Sequence, residues 1–201
     1  MKLYVHFCAF GFSNCYILGD GNEAIIVDPA NMDEAILKNI EDNDYILIGV
    51  LITHGHLNHV HGLNTLMRVY DTDIYSISPD VRGHKTIPVR DGETIRIGNF
   101  IIEVIAAPGH SADSAVFKVD NMLFTGDAMT AGLIGRTASV YAAANQMTAL
   151  RGKILSLPGD YSVFPGHGPP SSLDAERRFN YGVNAFEDYK NRHNRFRPEL
   201  D

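Results

Sequence analysis

Four closely spaced histidines mark the segment of this chain whose residue types most clearly suggest chemistry. They directly follow an apolar run at residues 46–52, in the sequence Thr53-His54-Gly55-His56-Leu57-Asn58-His59-Val60-His61-Gly62. Neutral imidazole is the commonest protein ligand for zinc and also suits iron, and ligands at the end of a buried strand are held by a rigid frame. The cluster therefore predicts a metal site at the end of a strand.

Three later turns repeat one arrangement, in which an apolar strand ends and a possible metal ligand follows at once. They read Ala107-Pro108-Gly109-His110-Ser111, Thr125-Gly126-Asp127 and Phe164-Pro165-Gly166-His167-Gly168. Glycine lets the backbone fold tightly at such turns, so the ligand can point back across the strand ends. His110, Asp127 and His167 are therefore further candidate ligands.

The alternation of apolar runs with turn residues predicts the elements that carry these ligands. In the first half it predicts strands at 3–9, 14–18, 24–27, 46–53 and 73–78, with helices after Asn31 as a cap and at 59–70. In the second half it predicts strands at 94–97, 100–106, 114–119, 122–125 and 161–164, with helices at 144–155 and about 171–195. Two sheets with helices outside them fit this order.

Composition restricts the class of protein. The chain has 201 residues with 17 basic and 24 acidic side chains, a net charge of -7, which favours a single domain over 1–201 and disfavours a nucleic-acid partner. The long stretches without charged side chains contain histidine, asparagine or glycine, so we expect no membrane span. The two cysteines, Cys8 and Cys15, form no motif, and we expect buried thiols in a reducing cytoplasm.

Taken in this order, the motifs resemble the metallo-beta-lactamase fold superfamily, and within it the glyoxalase II-like (hydroxyacylglutathione hydrolase-like) branch. The resemblance covers nearly the whole chain and includes Asn14-Cys15-Tyr16, Asp28-Pro29 and Ile134-Gly135-Arg136-Thr137. It implies an α/β fold, a four-layered αββα sandwich with the metal centre along one edge between the sheets. It also implies two metal subsites. The first comprises His54, His56 and His110, and the second comprises His59 and His167, with Asp127 as the catalytic carboxylate that bridges both.

The chain departs from the family pattern at Asn58, which stands where His-x-His-x-Asp-His has its aspartate. An amide supplies neither the negative charge nor the proton acceptor that the aspartate offers beside the attacking water. We therefore expect a weak or empty second subsite, although Asn58 stays a candidate catalytic residue and ligand by its position. His61 replaces a usual glycine. It is either a ligand or hydrogen-bond partner one helical turn from Asn58, or a partly exposed histidine at a helix start.

The resemblance implies a metal-dependent hydrolase of a small thioester, ester or lactone. A metal at the first subsite lowers the pKa of its bound water to roughly 7, which supplies hydroxide at neutral pH, and polarises a carbonyl. One or two zinc ions are expected, with iron or manganese as other metals, a small-molecule substrate, no membrane partner and a homodimer left open. Glutathione is not expected as the substrate handle, because only 34 residues follow His167.

Two other functions remain open at this point. His54, His110 and Asp127 also match the iron ligands of the persulfide dioxygenases of the same superfamily, a two-histidine, one-carboxylate set that activates oxygen. Loss of the aspartate at Asn58 harms this oxidoreductase function less than it harms hydrolysis. The third alternative is a non-catalytic metal-binding member that keeps the fold after losing turnover.

Overall fold

The computed structural model describes residues 1–185, and its first half forms one mixed sheet with helices packed against it. The strands are β1 (Lys2–Cys8), β2 (Ser13–Asp20), β3 (Glu23–Val27), β4 (Ile46–Leu51), β5 (Ile74–Ser76), β6 (Asp80–Val81), β7 (His84–Lys85) and β8 (Ile87–Pro88). The helices are α1 (Glu34–Glu41), α2 (Leu57–Val60) and α3 (Leu63–Val69), and a 3-10 turn spans Phe10–Phe12. The sheet order is β1-β2-β3-β4-β5-β8, while β6 and β7 form a separate hairpin.

The second half builds the second sheet. Its strands are β9 (Thr94–Ile97), β10 (Phe100–Ala106), β11 (Ala115–Val119), β12 (Met122–Gly126), β13 (Met129–Thr130), β14 (Leu133–Ile134), β15 (Ser162–Pro165) and β16 (Ser171–Ser172). Its helices are α4 (Val140–Ala149), which runs into a π-helical turn at Leu150–Ile154, and α5 (Leu173–Phe179). The order is β16-β15-β12-β11-β10-β9, and β13 pairs only with β14.

Three apolar cores separate four layers, which confirms the predicted αββα sandwich. The first core joins α1 and α3 to the first sheet through side chains such as Ile36 and Leu66. The middle core lies between the sheets, where Tyr16 meets Phe117 and Phe124. The third core packs the second sheet against α4, the π-helical turn and α5. Each sheet is therefore apolar on both faces, as expected for a sheet buried in a sandwich.

The candidate ligands meet because the strands that precede them end at one edge. β3 and β4 are parallel and so are β12 and β15, so the turns after all four strands lie at their shared carboxyl ends. Backbone bonds then join the two sheets there, since Asn14 N–H donates to Gly166 O at 2.8 Å. The sequence pattern predicted this convergence from the turns alone.

Three helix predictions differ from the structure. The first helix is capped by Asp33, whose Oδ1 accepts from the N–H groups of Ala35 and Ile36, and not by Asn31. The segment at 59–70 is two helices, because Gly62 N–H donates to Pro29 O and the chain turns tightly against residues 29–31. The helix predicted at 144–155 begins at Val140, since Ser139 caps it, and its last turn is π-helical.

The long final helix predicted at about 171–195 is interrupted within the described residues. α5 ends at Phe179, and Asn180 leaves the helical region with ψ 110° before residues 181–185 resume a helix. The buried Asn180 side chain donates to Leu133 O and to Glu176, which ties the break to the β13–β14 hairpin. Residues 186–195 of that prediction lie outside the described residues.

Two smaller predictions can be compared with the structure. Cys8 and Cys15 are both free and buried, and burial raises the pKa of Cys8 to about 11, which agrees with the expected unreactive thiols. Within residues 1–185, no helix is both long and apolar enough to cross a bilayer.

Candidate metal centre

The first subsite comes together as the resemblance implied. One ring nitrogen each from His54, His56 and His110 lies within 4.8 Å of the others. His110 Nε2 and His56 Nδ1 are 2.9 Å apart, so these two nitrogens face each other across the subsite. His54 is buried, His110 is partly exposed and His56 is exposed, so the subsite opens to solvent on one side only.

Backbone and hydroxyl oxygens fix which nitrogen of each ring faces the centre. His110 Nδ1 is 2.8 Å from Arg136 O, and a carbonyl only accepts, so Nδ1 carries the proton and Nε2 is free for a metal. His54 Nδ1 is 3.1 Å from Thr53 Oγ1, whose own proton goes to Asp28, so this nitrogen donates as well. Both rings therefore present a basic Nε2 to the same point, the arrangement found for metal-binding histidines.

The second subsite lies beside the first, with Asp127 between them. His59 Nε2 is 3.3 Å from Asp127 Oδ1, whereas His110 Nε2 and His167 Nε2 are 3.4 and 3.5 Å from Asp127 Oδ2. His54, His59 and Asp127 form a second set of converging ligand atoms. Asp127 thus occupies the position between the subsites that a bridging carboxylate requires.

Buried Asp28 orients histidines of both subsites. Its carboxylate accepts from His59 Nδ1 at 2.8 Å, from Thr53 Oγ1 at 2.6 Å and from Thr53 N–H at 2.8 Å. Through Thr53 it also fixes His54, so one anion sets the tautomers of two candidate ligands. In the sequence, Asp28 is part of a family motif and has no assigned role. Its only signal of a role in the metal centre is that a polar residue directly follows β3.

The donor set fits a metal ion. Among the described residues, the buried atoms without a hydrogen-bond partner include His54 Nε2, whereas His59 Nε2 and Asp127 Oδ1 face each other at 3.3 Å. Buried polar atoms are rarely left unpaired unless a ligand or ion satisfies them. Burial and neighbouring His59 hold the pKa of His54 down at about 2, so this ring is neutral and able to bind a metal at physiological pH. Imidazole and carboxylate suit zinc, iron and manganese alike.

The centre also depends on the absence of a side chain at Gly166. A Cβ there would lie 2.2 Å from His59 Cε1 and 2.7 Å from Asp127 Oδ1. Any larger residue would push apart the two groups that share the second subsite. The glycine in the turn after β15 is therefore required by this close approach.

The structure separates the two uncertain candidates. Asn58 is partly buried at the second subsite, with Nδ2 2.7 Å from His167 Nε2. His61 is exposed, belongs to neither set of converging ligands among the described residues, and stacks on Phe10 with 4.0 Å between ring centroids. His61 directly follows α2 and keeps helical φ and ψ, so the helical turn from Asn58 is retained and the His61 ring is engaged by Phe10 instead.

The buried ion pair at His59 predicts a pH dependence for the metal-free protein. Burial lowers the pKa of His59, but Asp28 and Asp127 outweigh it and raise the pKa to about 9 from an ordinary 6.5. A raised pKa means that this stabilisation is complete below about pH 6.5 and is lost as pH rises through 9. We expect the Tm of chelator-treated protein to fall between pH 6.5 and 9.5 more steeply than that of His59→Gln.

The comparison with His59→Gln isolates this group from other titrations in the same range. Equal pH slopes for the two proteins would show that His59 is not protonated between the carboxylates, and would contradict the prediction.

Comparison with known proteins agrees with this geometry. The family model of the metallo-beta-lactamase superfamily matches residues 8–167. The probable polyketide biosynthesis zinc-dependent hydrolase BaeB of Bacillus velezensis is 32% identical over 163 residues, which cover 76% of this chain and 72% of BaeB. The hydroxyacylglutathione hydrolase of Hahella chejuensis is 30% identical over 155 residues, covering 75% of this chain and 59% of that protein.

The fold itself is matched by a solved structure. The crystal structure of ETHE1 from Myxococcus xanthus superposes with a TM-score of 0.84 and 26% sequence identity, covering 99% of this chain and 93% of that one. The curated relatives just described are named as hydrolases, in agreement with the class of enzyme that the motifs predict. On the family match over most of its length, the chain belongs to the metallo-beta-lactamase superfamily.

Proposed function

We propose that this chain hydrolyses a small thioester, ester or lactone with the help of a metal ion held at the first subsite. The observation that carries the proposal is the convergence of His54, His56 and His110 beside Asp127, with an unpaired lone pair on buried His54 Nε2. Three histidines with an open side are the ligand arrangement of catalytic zinc centres, whereas closed four-ligand sets are structural. The names of the relatives support hydrolysis and zinc.

The residues around the centre have separate parts in this reaction. A divalent metal bound there would lower the pKa of its water to about 7 and polarise the substrate carbonyl. Despite its burial, Asp127 is kept ionised by His59, with a pKa of about 2, so it can hold a metal and accept a hydrogen bond from the attacking water. Asn58 is an amide whose Nδ2 faces His167, so it offers no carboxylate to the attacking water. Asp127 is therefore the carboxylate that can accept a hydrogen bond from that water.

Access to the centre is compatible with a small substrate. His56 is exposed and His110 and His167 are partly exposed, while His54 and His59 lie underneath. A carbonyl can therefore approach the first subsite from solvent while the buried side of the centre stays dry. The predicted homodimer, the cytoplasmic location and the single domain over 1–201 remain predictions.

One observation favours a second candidate function, an iron-dependent oxidoreductase acting on a thiol persulfide. His54, His110 and Asp127 lie together, with His110 Nε2 3.4 Å from Asp127 Oδ2, which forms a two-histidine, one-carboxylate set. In the balanced reaction one persulfide, one dioxygen and one water would give one thiol, one sulfite and two protons. The outer sulfur is oxidised and dioxygen is its oxidant.

A single panel of assays separates these candidates. Chelated protein is reloaded with one equivalent of Zn²⁺, Mn²⁺ or Fe²⁺ and tested on S-lactoylglutathione, S-acetyl-N-acetylcysteamine, p-nitrophenyl acetate and an N-acyl homoserine lactone. Oxygen uptake with glutathione persulfide is followed in parallel. We expect hydrolysis of at least one substrate by the metal-loaded protein and at least 100-fold less by the chelated protein.

Each other outcome of these assays would point to a different function or mechanism. Oxygen uptake by the Fe²⁺ form without hydrolysis would replace the hydrolase with the oxidoreductase. Metal binding without turnover on any substrate of the panel would favour the non-catalytic member of the family. Hydrolysis that persists undiminished after chelation would refute the metal-dependent mechanism.

A further inference from the structure

We infer that Asn58 closes the second subsite by donating a hydrogen bond to His167, so that the chain holds one metal ion, at the first subsite. The inference rests on the proposed function in so far as that function requires a metal centre. Its basis is the 2.7 Å contact between Asn58 Nδ2 and His167 Nε2, the nitrogen that would bind a second metal. Of the two converging ligand sets among the described residues, neither includes His167.

The direction of this hydrogen bond follows from the other side of the imidazole. His167 Nδ1 lies 2.8 Å from Phe12 O, and a carbonyl oxygen can only accept. Nδ1 therefore carries the single proton of the neutral ring, and Nε2 must accept. The group that faces Nε2 has to be a donor, which fixes the Asn58 amide with its NH₂ toward His167. The lone pair needed for a second metal is thereby already used.

The first subsite contains a similar contact that a metal can open. His56 Nδ1 and His110 Nε2 are 2.9 Å apart, and one proton lies between them. An imidazole can hold that proton on its other nitrogen, so a metal can take its place without leaving either ring charged. An amide cannot do this, because its nitrogen keeps both protons near neutral pH. At the second subsite the amide must instead rotate, and its oxygen then faces the His167 lone pair.

Residues 11–13, at the start of β2, hold both partners of this contact in place. Ser13 Oγ donates to the backbone oxygen of Asn58 at 2.6 Å, and Phe12 O accepts from His167. Gly11, at φ 69°, packs so closely that a Cβ would lie 2.5 Å from Asn58 Cβ. The backbones of Ser13 and His167 also form an isolated antiparallel β-bridge. One short stretch of chain therefore fixes the distance between the amide and the imidazole.

Asn58 also lacks the negative charge that an aspartate would place at the second subsite. An aspartate at position 58 would accept where the amide donates, and would add a second carboxylate to Asp127 beside a second cation. The hydrogen bond and the missing charge act in the same direction. They can be separated, because removing the side chain abolishes the first without restoring the second.

The test is a zinc titration of metal-free wild type, Asn58→Asp and Asn58→Ala, with His61→Ala as a control from the same segment. Calorimetry gives the affinities, and plasma mass spectrometry counts zinc per chain after desalting. We expect one zinc in wild type and two in Asn58→Asp, with at least 100-fold tighter second binding. Asn58→Ala should bind the second zinc about 5- to 10-fold more tightly than wild type, because one hydrogen bond no longer competes.

Each result decides between stated possibilities. Two zinc ions of similar affinity in wild type would overturn the inference while leaving the proposed function intact. Asn58→Ala binding the second zinc no better than wild type would overturn the role of the hydrogen bond. No zinc in wild type at all would count against the proposed function instead. A changed stoichiometry in His61→Ala would move the second subsite to His61 and would also overturn the inference.

A spectroscopic measurement on the unaltered protein does not depend on how the variants fold. In ¹⁵N-histidine spectra of metal-free protein, His167 should be the tautomer protonated at Nδ1, with Nε2 shifted as a hydrogen-bond acceptor. Its signals should persist unchanged after one equivalent of zinc and after a second. Loss or a large shift of the Nε2 signal at the second equivalent would show that zinc displaces Asn58.

Discussion

Replacement of His110 by alanine is expected to remove the metal from the first subsite and to lower kcat/KM for the hydrolysed substrate by at least about 1000-fold. Arg136 O holds the proton of His110 on Nδ1, so that Nε2 of this ring faces the first subsite. Two of the three histidines would remain, one of them exposed His56, which is fewer protein ligands than a catalytic zinc centre uses. Zinc content and steady-state rates measured together would check both effects.

The matched control is His61→Ala. His61 is close to the cluster in sequence but stacks on Phe10, so its loss should leave metal content and rate within about twofold of wild type. Because His110 is only partly buried, its replacement should also leave folding nearly intact, which far-ultraviolet circular dichroism can verify. If His110→Ala retained one tightly bound zinc and full activity, the reacting metal would have to be at the second subsite.

The first-subsite ligands could be predicted from the sequence because their signal is local. A strand that ends in a glycine-containing turn followed by a histidine or aspartate fixes both the position of the ligand and the edge that it faces. His110 and Asp127 follow this rule, whereas the glycine comes after His54. β10 and β12 run in the same direction because each pairs antiparallel with β11, so their turns lie at one edge. The resemblance added the layer order, which the three apolar cores then confirmed.

What could not be predicted depends on contacts between distant segments. The Asn58–His167 hydrogen bond joins residues 109 positions apart, and its direction is set by a third segment through Phe12 O. The break between α2 and α3 arises because Gly62 packs against residues 29–31. His61 keeps helical φ and ψ after α2, but its ring stacks on Phe10, a residue of another segment. Local periodicity contains no information about such contacts.

The final helix shows the same limit. A continuous helix suited the charges at both ends of the segment, yet buried Asn180 satisfies its amide on Leu133 O and Glu176 instead of continuing the helix. The gain comes from burying a fully hydrogen-bonded amide, which outweighs the helical preference of one or two residues.

The second large effect is expected for Asp28→Asn, which should destabilise the metal-free protein by about 3–5 kcal/mol and lower its Tm by roughly 10 °C. Asp28 is buried and accepts three hydrogen bonds, two from Thr53 and one from His59. An amide of the same shape has one acceptor oxygen and must point its NH₂ at one of these donors. Urea unfolding would measure the loss, with exposed Asp71→Asn as the control for removing one negative charge.

The same substitution should weaken metal binding through the orientation of the ligands. If the amide oxygen stays on Thr53 N–H, its NH₂ faces His59 Nδ1, and His59 has to lose its Nδ1 proton and keep the one on Nε2, the atom that faces Asp127. The Thr53 hydroxyl also loses its acceptor, so His54 is no longer held in one tautomer. Loss of such supporting contacts typically lowers metal affinity 10- to 100-fold.

Zinc affinity and urea unfolding together distinguish an effect on the orientation of the metal ligands from a simple loss of stability. At a temperature where wild type and Asp28→Asn are both fully folded, reduced zinc affinity can only come from the ligands themselves. Thr53→Val supplies the intermediate case, because it removes the hydroxyl that links Asp28 to His54 and leaves His59 bonded to the carboxylate. First-subsite affinity should therefore fall in Thr53→Val while the pH dependence due to His59 persists. An unchanged zinc affinity in both variants would mean that packing alone, and not Asp28, sets the orientation of His54.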